Sequence, residues 1–376
     1  MLIGVDASRA SAARRTGTEN YSLHLIRALL ALEAGPRFRL YVREPAAPGT
    51  FADGVDQKVI GMPRLWTHLG LSWEMFRQPP DLLFVPSHVL PLVHPPVSVA
   101  TVHDLGYHYY PQAHTLSQNL YLRWSTRHNA RSARRVLADS EATRQDLIRL
   151  YGISEAKIDV VYPGRDESFV PVHDPLLREA VQARYGCRTP YILYLGTLHP
   201  RKNLVRLVQA FAQLRARASD AEYPLDQLQL VLAGQKGWLY QEVFSEVRRL
   251  GLEDWVILTG YVDDEDLPAL LSGAEAFAFP SLYEGFGFPV LEAMACGVPV
   301  VCSSTSSLPE VAGDAALLVE PRQVDSIASA LFRLLSEPDL RRELVGRGFV
   351  QAERFSWSRC AQEAMAAFEQ AAGLTG

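Results

Sequence analysis

The chain has 376 residues, which is too many for one ordinary domain and suits two. With 48% hydrophobic and 21% charged residues it is neither disordered nor fibrous, and a net charge of −5 argues against nucleic-acid binding by bulk charge. Cys187, Cys296, Cys302 and Cys360 are scattered without metal-ligand spacing and read as core residues of a reducing compartment. With no secretory signal pattern and no apolar run of bilayer length, the expected location is the cytoplasm.

Met1–Val5 is a short apolar run ending at Asp6, followed by a polar loop and an amphipathic stretch, Glu19–Leu32: strand, loop, helix. Within the loop, Arg14-Arg15-Thr16-Gly17-Thr18 sets a glycine before the helix start, either as a plain turn or as backbone able to approach a phosphate or an acceptor. Further strands are expected at Phe38–Val42, Asp81–Val85 and Val97–Thr101, so this half predicts a parallel sheet with helices on both faces. Such sheets bind ligands at the carboxyl ends of their strands, which singles out His103 and Asp104. The histidine can donate to a hydroxyl or phosphate with Asp104 orienting its ring; a capping Asp beside a satisfied histidine is the alternative. His68, His88, His94, His108 and His114 have no such context.

From Asn119 to Arg135 a helical pattern carries Arg123, Arg127, Arg131, Arg134 and Arg135 beside Leu120, Tyr121, Leu122 and Trp124. Several of the arginines share one face, which suits either anionic lipid headgroups or solvent. An exposed aromatic cluster of Trp66, Trp73 and Phe76 is a second candidate for meeting a lipid-linked acceptor. Val136–Ala138 predicts a strand ending at Asp139-Ser140 before the helix Glu141–Tyr151, and Val160–Gly164 closes this half.

Prolines and charges gather between Phe169 and Pro175, the composition of a linker. A second strand and loop unit opens at Tyr191–Gly196, and its loop brings Arg201 and Lys202 just before the helix Asn203–Arg217. Two cations converging on one helix start make a seat for a diphosphate, unless they are merely solvated. Strands follow at Leu228–Ala233 and Val256–Leu258, with a helix near Tyr240–Leu250 between them. Asp263-Asp264-Glu265-Asp266 reads as a capped helix start and not as a metal site, so no metal is expected. Apolar runs at Ala274–Phe279 and Val298–Cys302 enclose a loop and one short helix, with Pro289 at its start and Gly297 past its end. Glu284 stands in the glycine-rich turn before that helix and Glu292 one turn inside it. Gly285 and Gly287 allow positive φ and close approach, so the stretch suits an anionic ligand that carries hydroxyl groups. Helical patterns continue at Val324–Leu335 and Pro338–Arg354, and after Phe355-Ser356-Trp357 a last one runs to Ala372.

The run E-G-F-G-F-P-V-L-E-A-M-A-C-G-V-P resembles the E-x7-E signature of the retaining glycosyltransferases of family four. T-V-H-D-L around His103 and G-T-L-H-P-R-K-N around Arg201 and Lys202 are similar to further segments of that family, in its order. The resemblance implies an α/β protein of GT-B architecture, two Rossmann-like domains with parallel sheets facing across a cleft. Residues 1–170 with the last helix, 357–376, would form the acceptor-side domain, and 171–356 the nucleotide-sugar-binding domain.

It further implies transfer, with retained anomeric configuration, of a sugar from a nucleotide diphosphate to a saccharide or lipid-linked acceptor, with no cofactor. In that reading His103 contacts the donor sugar, Glu284 its hydroxyls and Glu292 the ribose. Arg201 and Lys202 neutralise the pyrophosphate without a metal. Gly17, Gly196, Gly285, Phe286, Gly287 and Phe288 approach the donor, and Tyr261 and Val262 lie against the base. Many members have an arginine directly after the glycine where this chain has Thr197, and Val160–Gly164 resembles the family's V-x-P-N-G segment with Gly164 kept and Tyr162-Pro163 in a variant form. The P-R-K-N form resembles bacterial mannosyltransferases of polysaccharide assembly, so GDP-mannose is the first expected donor and UDP-sugars the second. An epimerase of the same architecture and a catalytically silent nucleotide-sugar-binding subunit are the competing readings.

Overall fold

The computed structural model describes residues 1–374 except 12–16, 34, 63, 88, 218–222 and 238, so Arg14-Arg15-Thr16 and His88 lie outside the described residues. Two compact units make up the chain, Met1–Gly164 with Phe355–Gly376, and Arg165–Arg354.

The first unit holds the strands β1 (Leu2–Asp6), β2 (Arg37–Val42), β3 (Asp56–Val59), β4 (Leu82–Val85), β5 (Ser98–Val102), β6 (Arg135–Ala138) and β7 (Ile158–Val160). All pair in parallel, in the order β3-β2-β1-β4-β5-β6-β7. The inner strands β4 and β5 are buried along their whole length, as a parallel sheet covered on both faces requires. β1 pairs with β2 from Leu2↔Arg37 to Asp6↔Tyr41, and on its other side with β4 from Ile3↔Leu82 to Val5↔Phe84. The carboxyl ends of β1 and β4 are therefore the switch point of this sheet, where an open parallel sheet leaves its ligand crevice.

Three features of this unit depart from the sequence reading. The edge strand β3 has the sequence DQKV and is mostly exposed, so no apolar run announces it; Arg39 Nε donates to Asp56 Oδ2 at 2.7 Å across the β2–β3 pair. Trp66 belongs to no exposed cluster: it is 1% exposed, its indole N–H donates to the Ile60 carbonyl at 2.8 Å, and it packs in the core with Leu71, Met75 and Tyr41. Trp73 and Phe76 do remain exposed, stacked 5.8 Å apart. The basic helix, Leu116–Ser132, opens on a Thr115 capping box and ends before Arg134, while Arg135 begins β6 and pairs with Asp159.

The last helix, Trp357–Ala372, is capped by Ser356 and stopped by Gly373 at φ 70°. It packs on the first unit, with Phe368 4.8 Å from Phe84 and Trp357 stacked 5.3 Å from His24.

The second unit has six parallel strands, β8 (Tyr191–Leu195), β9 (Gln229–Ala233), β10 (Val256–Gly260), β11 (Ala276–Phe279), β12 (Val300–Ser303) and β13 (Ala316–Val319), in the order β10-β9-β8-β11-β12-β13. Here the switch point lies between β8 and β11, paired at Ile192↔Ala276. Gly196 and Gly234 leave β8 and β9 at φ 145°, and a Cβ on Gly234 would sit 2.1 Å from the Gly196 carbonyl oxygen. Only glycines let those two strand ends turn outward in contact. The segment read as a linker is fastened to this unit, with Phe169 buried and the Val172 N–H donating to Ser272 Oγ at 2.9 Å. The acidic run at 263–266 does not cap its helix, Leu267–Ser272; Asp266 instead accepts from Arg184 and from Tyr185 Oη, both at 2.7 Å.

Candidate functional site

Because β8 and β11 are neighbours, the loops that follow them meet at their carboxyl ends. The β8 loop turns through Pro200–Lys202 into the helix Leu204–Ala216, and the β11 loop runs from Pro280 to the helix Phe288–Ala295. They are stitched by the Leu282 N–H, which donates to the Arg201 carbonyl at 2.8 Å. Asn203, at φ 62°, adds Nδ2 bonds to the Pro280 carbonyl at 3.0 Å and the Pro321 carbonyl at 2.5 Å.

The stitching brings Arg201, Lys202 and Glu284 together. Lys202 Nζ lies 2.6 Å from Glu284 Oε1, Arg201 reaches Glu284 Oε2 at 3.2 Å and also bonds the Tyr283 carbonyl, and Ser281 Oγ donates to Oε1 at 2.5 Å. Lys202 also sits 5.0 Å over the Phe279 ring. Burial of Glu284 works to raise its pKa, but Arg201 and Lys202 outweigh it and hold the carboxyl down to about 2. One carboxylate against two cations leaves the cluster with one net positive charge. Thr197, directly after Gly196, is exposed.

The glycine-rich turn is fixed from below by the serines after β12. Ser307 Oγ donates to the carbonyls of Glu284 at 3.0 Å and Phe286 at 2.6 Å, and the Glu284 N–H donates to Ser306 Oγ at 2.9 Å. Gly287 takes φ 123°, and a Cβ there would lie 2.7 Å from Leu308 Cδ2. Gly285 is buried, and Phe286 and Phe288 meet edge to face at 5.1 Å where the helix begins. Gly287, at the N-cap of that helix, has no side chain with which to cap it.

Glu292, one turn in, has the opposite electrostatics. Burial pushes its carboxyl up to about 8, and Asp166 and Asp264 add to the effect. Tyr261 is exposed directly after β10 with its hydroxyl 3.3 Å from Asp264, while Val262 turns inward and is buried. A cavity of about 610 Å³ elsewhere in this unit, lined by Arg178, Gln182, Glu275 and Arg341 among others, opens at the amino ends of the strands and contains none of these residues. The Arg201–Lys202–Glu284 cluster lies at the other end of the sheet.

In the first unit His103 stands just past β5, and Asp139 just past β6, which pairs with β5 at Val102↔Ala138. Their side chains meet, His103 Nδ1 to Asp139 Oδ2 at 2.7 Å. Asp139, not Asp104, therefore orients the ring; Asp104 accepts the Gly106 N–H at 2.8 Å and makes a local turn. Burial works to lower the His103 pKa, but Asp139 outweighs it and the net shift is upward. Tyr21 packs edge-on against the imidazole at 4.7 Å. Gly17 opens the helix Gly17–Leu30 with room for a Cβ, since nothing lies within 4 Å of that position.

Asp139, Ser281, Asn203, Ser306 and Ser307 escape the sequence reading. Asp139 carried a usable signal, because His103 and Asp139 each stand one residue beyond the end of adjacent parallel strands. Ser306, Ser307 and Asn203 act through main-chain groups of other segments, which no local pattern announces, and Ser281 through the Glu284 carboxylate three residues on.

Residues 184–349 match the family described as Glycosyl transferases group 1, and residues 15–169 match Glycosyltransferase Family 4. O-antigen chain mannosyltransferase B of Escherichia coli is 37% identical over 276 residues, 72% of this chain and 70% of that one. The MMP alpha-(1->4)-mannosyltransferase of Mycolicibacterium hassiacum is 34% identical over 246 residues, and the matched stretch spans 55% of its length. Among solved structures, sucrose-phosphate synthase of Thermosynechococcus elongatus superposes with a TM-score of 0.76 at 22% identity over the whole of both chains. HepE of Anabaena in complex with UDP-glucose superposes at 0.73 with 19% identity, covering 98% of this chain and 99% of that one. At those identities the superpositions speak for the fold alone.

Proposed function

The chain belongs to the glycosyl transferases of group 1 and has their GT-B fold, and from that premise we propose that it moves mannose from GDP-mannose to a saccharide or lipid-linked acceptor in cell-surface polysaccharide synthesis, with retained configuration. The mannosyl assignment draws on the named activity of the 37% identical relative. The observation that carries the chemistry is the Arg201–Lys202–Glu284 cluster at the switch point of the second sheet. A departing nucleoside diphosphate develops negative charge, and preorganised cations stabilise charge where it develops. Glu284 keeps the two cations aimed and in turn accepts from donor-sugar hydroxyls. Glu292, neutral near pH 7, both donates to and accepts from ribose hydroxyls. Gly17, Gly196, Gly285, Phe286, Gly287 and Phe288 give the donor close backbone and ring contact, and Tyr261 and Val262 border the base. His103, held by Asp139, donates to the sugar or its phosphate. Arg201 and Lys202 take the place of a metal, and no protein base is required if the donor phosphate receives the acceptor's proton.

Incubation with GDP-mannose, UDP-glucose and UDP-galactose and a panel of mannosides tests this. Release of GDP with a new α-mannoside, unaffected by EDTA, is the expected result. Conversion of the donor without an acceptor product, or binding without turnover, would replace the proposal with an epimerase or a silent subunit. An inverted product, read by NMR from its anomeric coupling, would remove retention.

We also propose that the first unit rests on an anionic membrane through the helix Leu116–Ser132. Leu116, Leu120 and Trp124 form one exposed row at four-residue steps, Arg123, Arg127 and Arg131 the next, and exposed Trp73 and Phe76 lie on the helix Ser72–Arg77 of the same unit. None of the described helices is long and apolar enough to cross a bilayer. Co-sedimentation with phosphatidylglycerol vesicles but not phosphatidylcholine vesicles, abolished in R127E/R131E, is expected; equal recovery with both lipids speaks against it.

A further inference from the structure

Asp6 ends β1, at the switch point of the first sheet, and is 2% exposed. Its Oδ1 accepts the Ser8 N–H at 3.0 Å, while Oδ2 is buried with no partner among the described residues. The Ser8 bond is a local turn that an asparagine would make equally well, without placing an ionisable group in the interior. The turn therefore explains one oxygen and leaves the other unaccounted for. Buried polar atoms without a bond are rare because each forfeits its hydration, so those that persist mark strain or a ligand's place. Arg9, from the loop after β1, and Arg43, just past β2, lie close enough to favour the ionised form, which burial opposes; the carboxyl is pushed up to about 6. Arg9 pairs with Glu19 and Arg43 lies 5.7 Å over the Trp66 ring.

Resting on the glycosyl-transfer reading above, we propose that Asp6 is the acceptor-positioning carboxyl of the first unit, its second oxygen receiving a hydroxyl of the saccharide that takes up the sugar. Three observations converge on it. The position is the crevice where an open parallel sheet admits ligand. The group is a hydrogen-bond acceptor suited to sugar hydroxyls, and it lies outside the cation cluster that serves the diphosphate. The spare oxygen needs a donor that the described residues do not supply.

The test compares wild type, D6N and D6E with GDP-mannose and p-nitrophenyl α-mannoside. D6N retains the turn to Ser8, so its melting temperature and its GDP affinity by calorimetry should match wild type. Its KM for the mannoside should rise about ten-fold or more, the loss expected when a charge-assisted hydrogen bond becomes a neutral one, with donor KM unchanged. D6E should recover part of that loss. An unchanged mannoside KM in D6N overturns the assignment. A parallel fall in melting temperature, GDP affinity and acceptor use would make Asp6 structural and overturn it as well. Wild-type protein that transfers to no mannoside removes the proposed function, and with it the basis for this role.

Discussion

Lys202, Arg201 and Glu284 hold one another in a partly enclosed site, so removing any one charge changes the other two. Lys202→Met should leave the nucleotide affinity modestly weaker and lower kcat by about 10²-fold, the cost of losing one preorganised group at a developing charge. A variant with wild-type kcat would show the charge to be met elsewhere. Glu284→Gln strands two cations and should cost up to about 3 kcal/mol in urea denaturation, discounted for their partial exposure. Combined with Lys202→Met it should cost less than the sum of the single changes, because one of the two stranded cations is gone, while activity stays lost. Additive stabilities would mean that the pair is not coupled.

Glu292 gives a pH prediction of the other sign. Its folded pKa of about 8 exceeds the ordinary 4.5, so the unfolded chain releases this proton first as pH rises, and stability falls between those values. At Glu284, held near 2, stability is present above 4.5 and lost as pH falls toward 2. Glu292→Gln should therefore flatten the decline between pH 5 and pH 8 that wild type shows in thermal melts; an unchanged slope would place the proton elsewhere. The spacing of the two glutamates was legible in the chain, but their opposite charge states were not. Those follow from Arg201 and Lys202 in one case and, in the other, from burial first, with Asp166 and Asp264 adding to it, all residues remote in sequence.

Among elements, the helix Phe288–Ala295 depends on its glycine entry. Gly287→Ala meets both a positive φ and Leu308 Cδ2 at 2.7 Å, so a loss of about 1–3 kcal/mol is expected in denaturant melts, with weaker nucleotide binding. Gly17→Ala is its control: with open space at the Cβ position, stability should hold. A fall in kcat/KM for the donor would then report close approach of ligand to that backbone, and unchanged kinetics would leave Gly17 a plain helix start. Strands such as β4, β9 and β11 were readable because apolar runs are local facts. The edge strand β3 was not, since its residues face water and its place depends on pairing with β2. Likewise the arginines at 123, 127 and 131 follow helical spacing, whereas Arg135 belongs to a strand because its partner Asp159 lies on the next one.

For the whole molecule, the last helix is the part whose role is most remote from its position in the chain. Phe368 is fully buried against Phe84, so Phe368→Ala should destabilise the first unit by about 3–5 kcal/mol. GDP binding by the second unit should survive it; joint loss would show that the two units unfold as one. Local pattern was enough to read the alternation of strands and helices and to single out Glu284, Glu292, Arg201, Lys202 and His103 as candidates beside strand ends, because periodicity, glycine and proline act over a few neighbouring positions. It took the folded chain to show that Asp139 and not Asp104 holds His103, that Trp66 is core, that Asp266 serves Arg184 rather than a helix end, and that the pKa values of two glutamates eight positions apart are pushed in opposite directions. Coulomb energy and desolvation depend on distance in space, and the groups that set them lie tens of residues away along the chain.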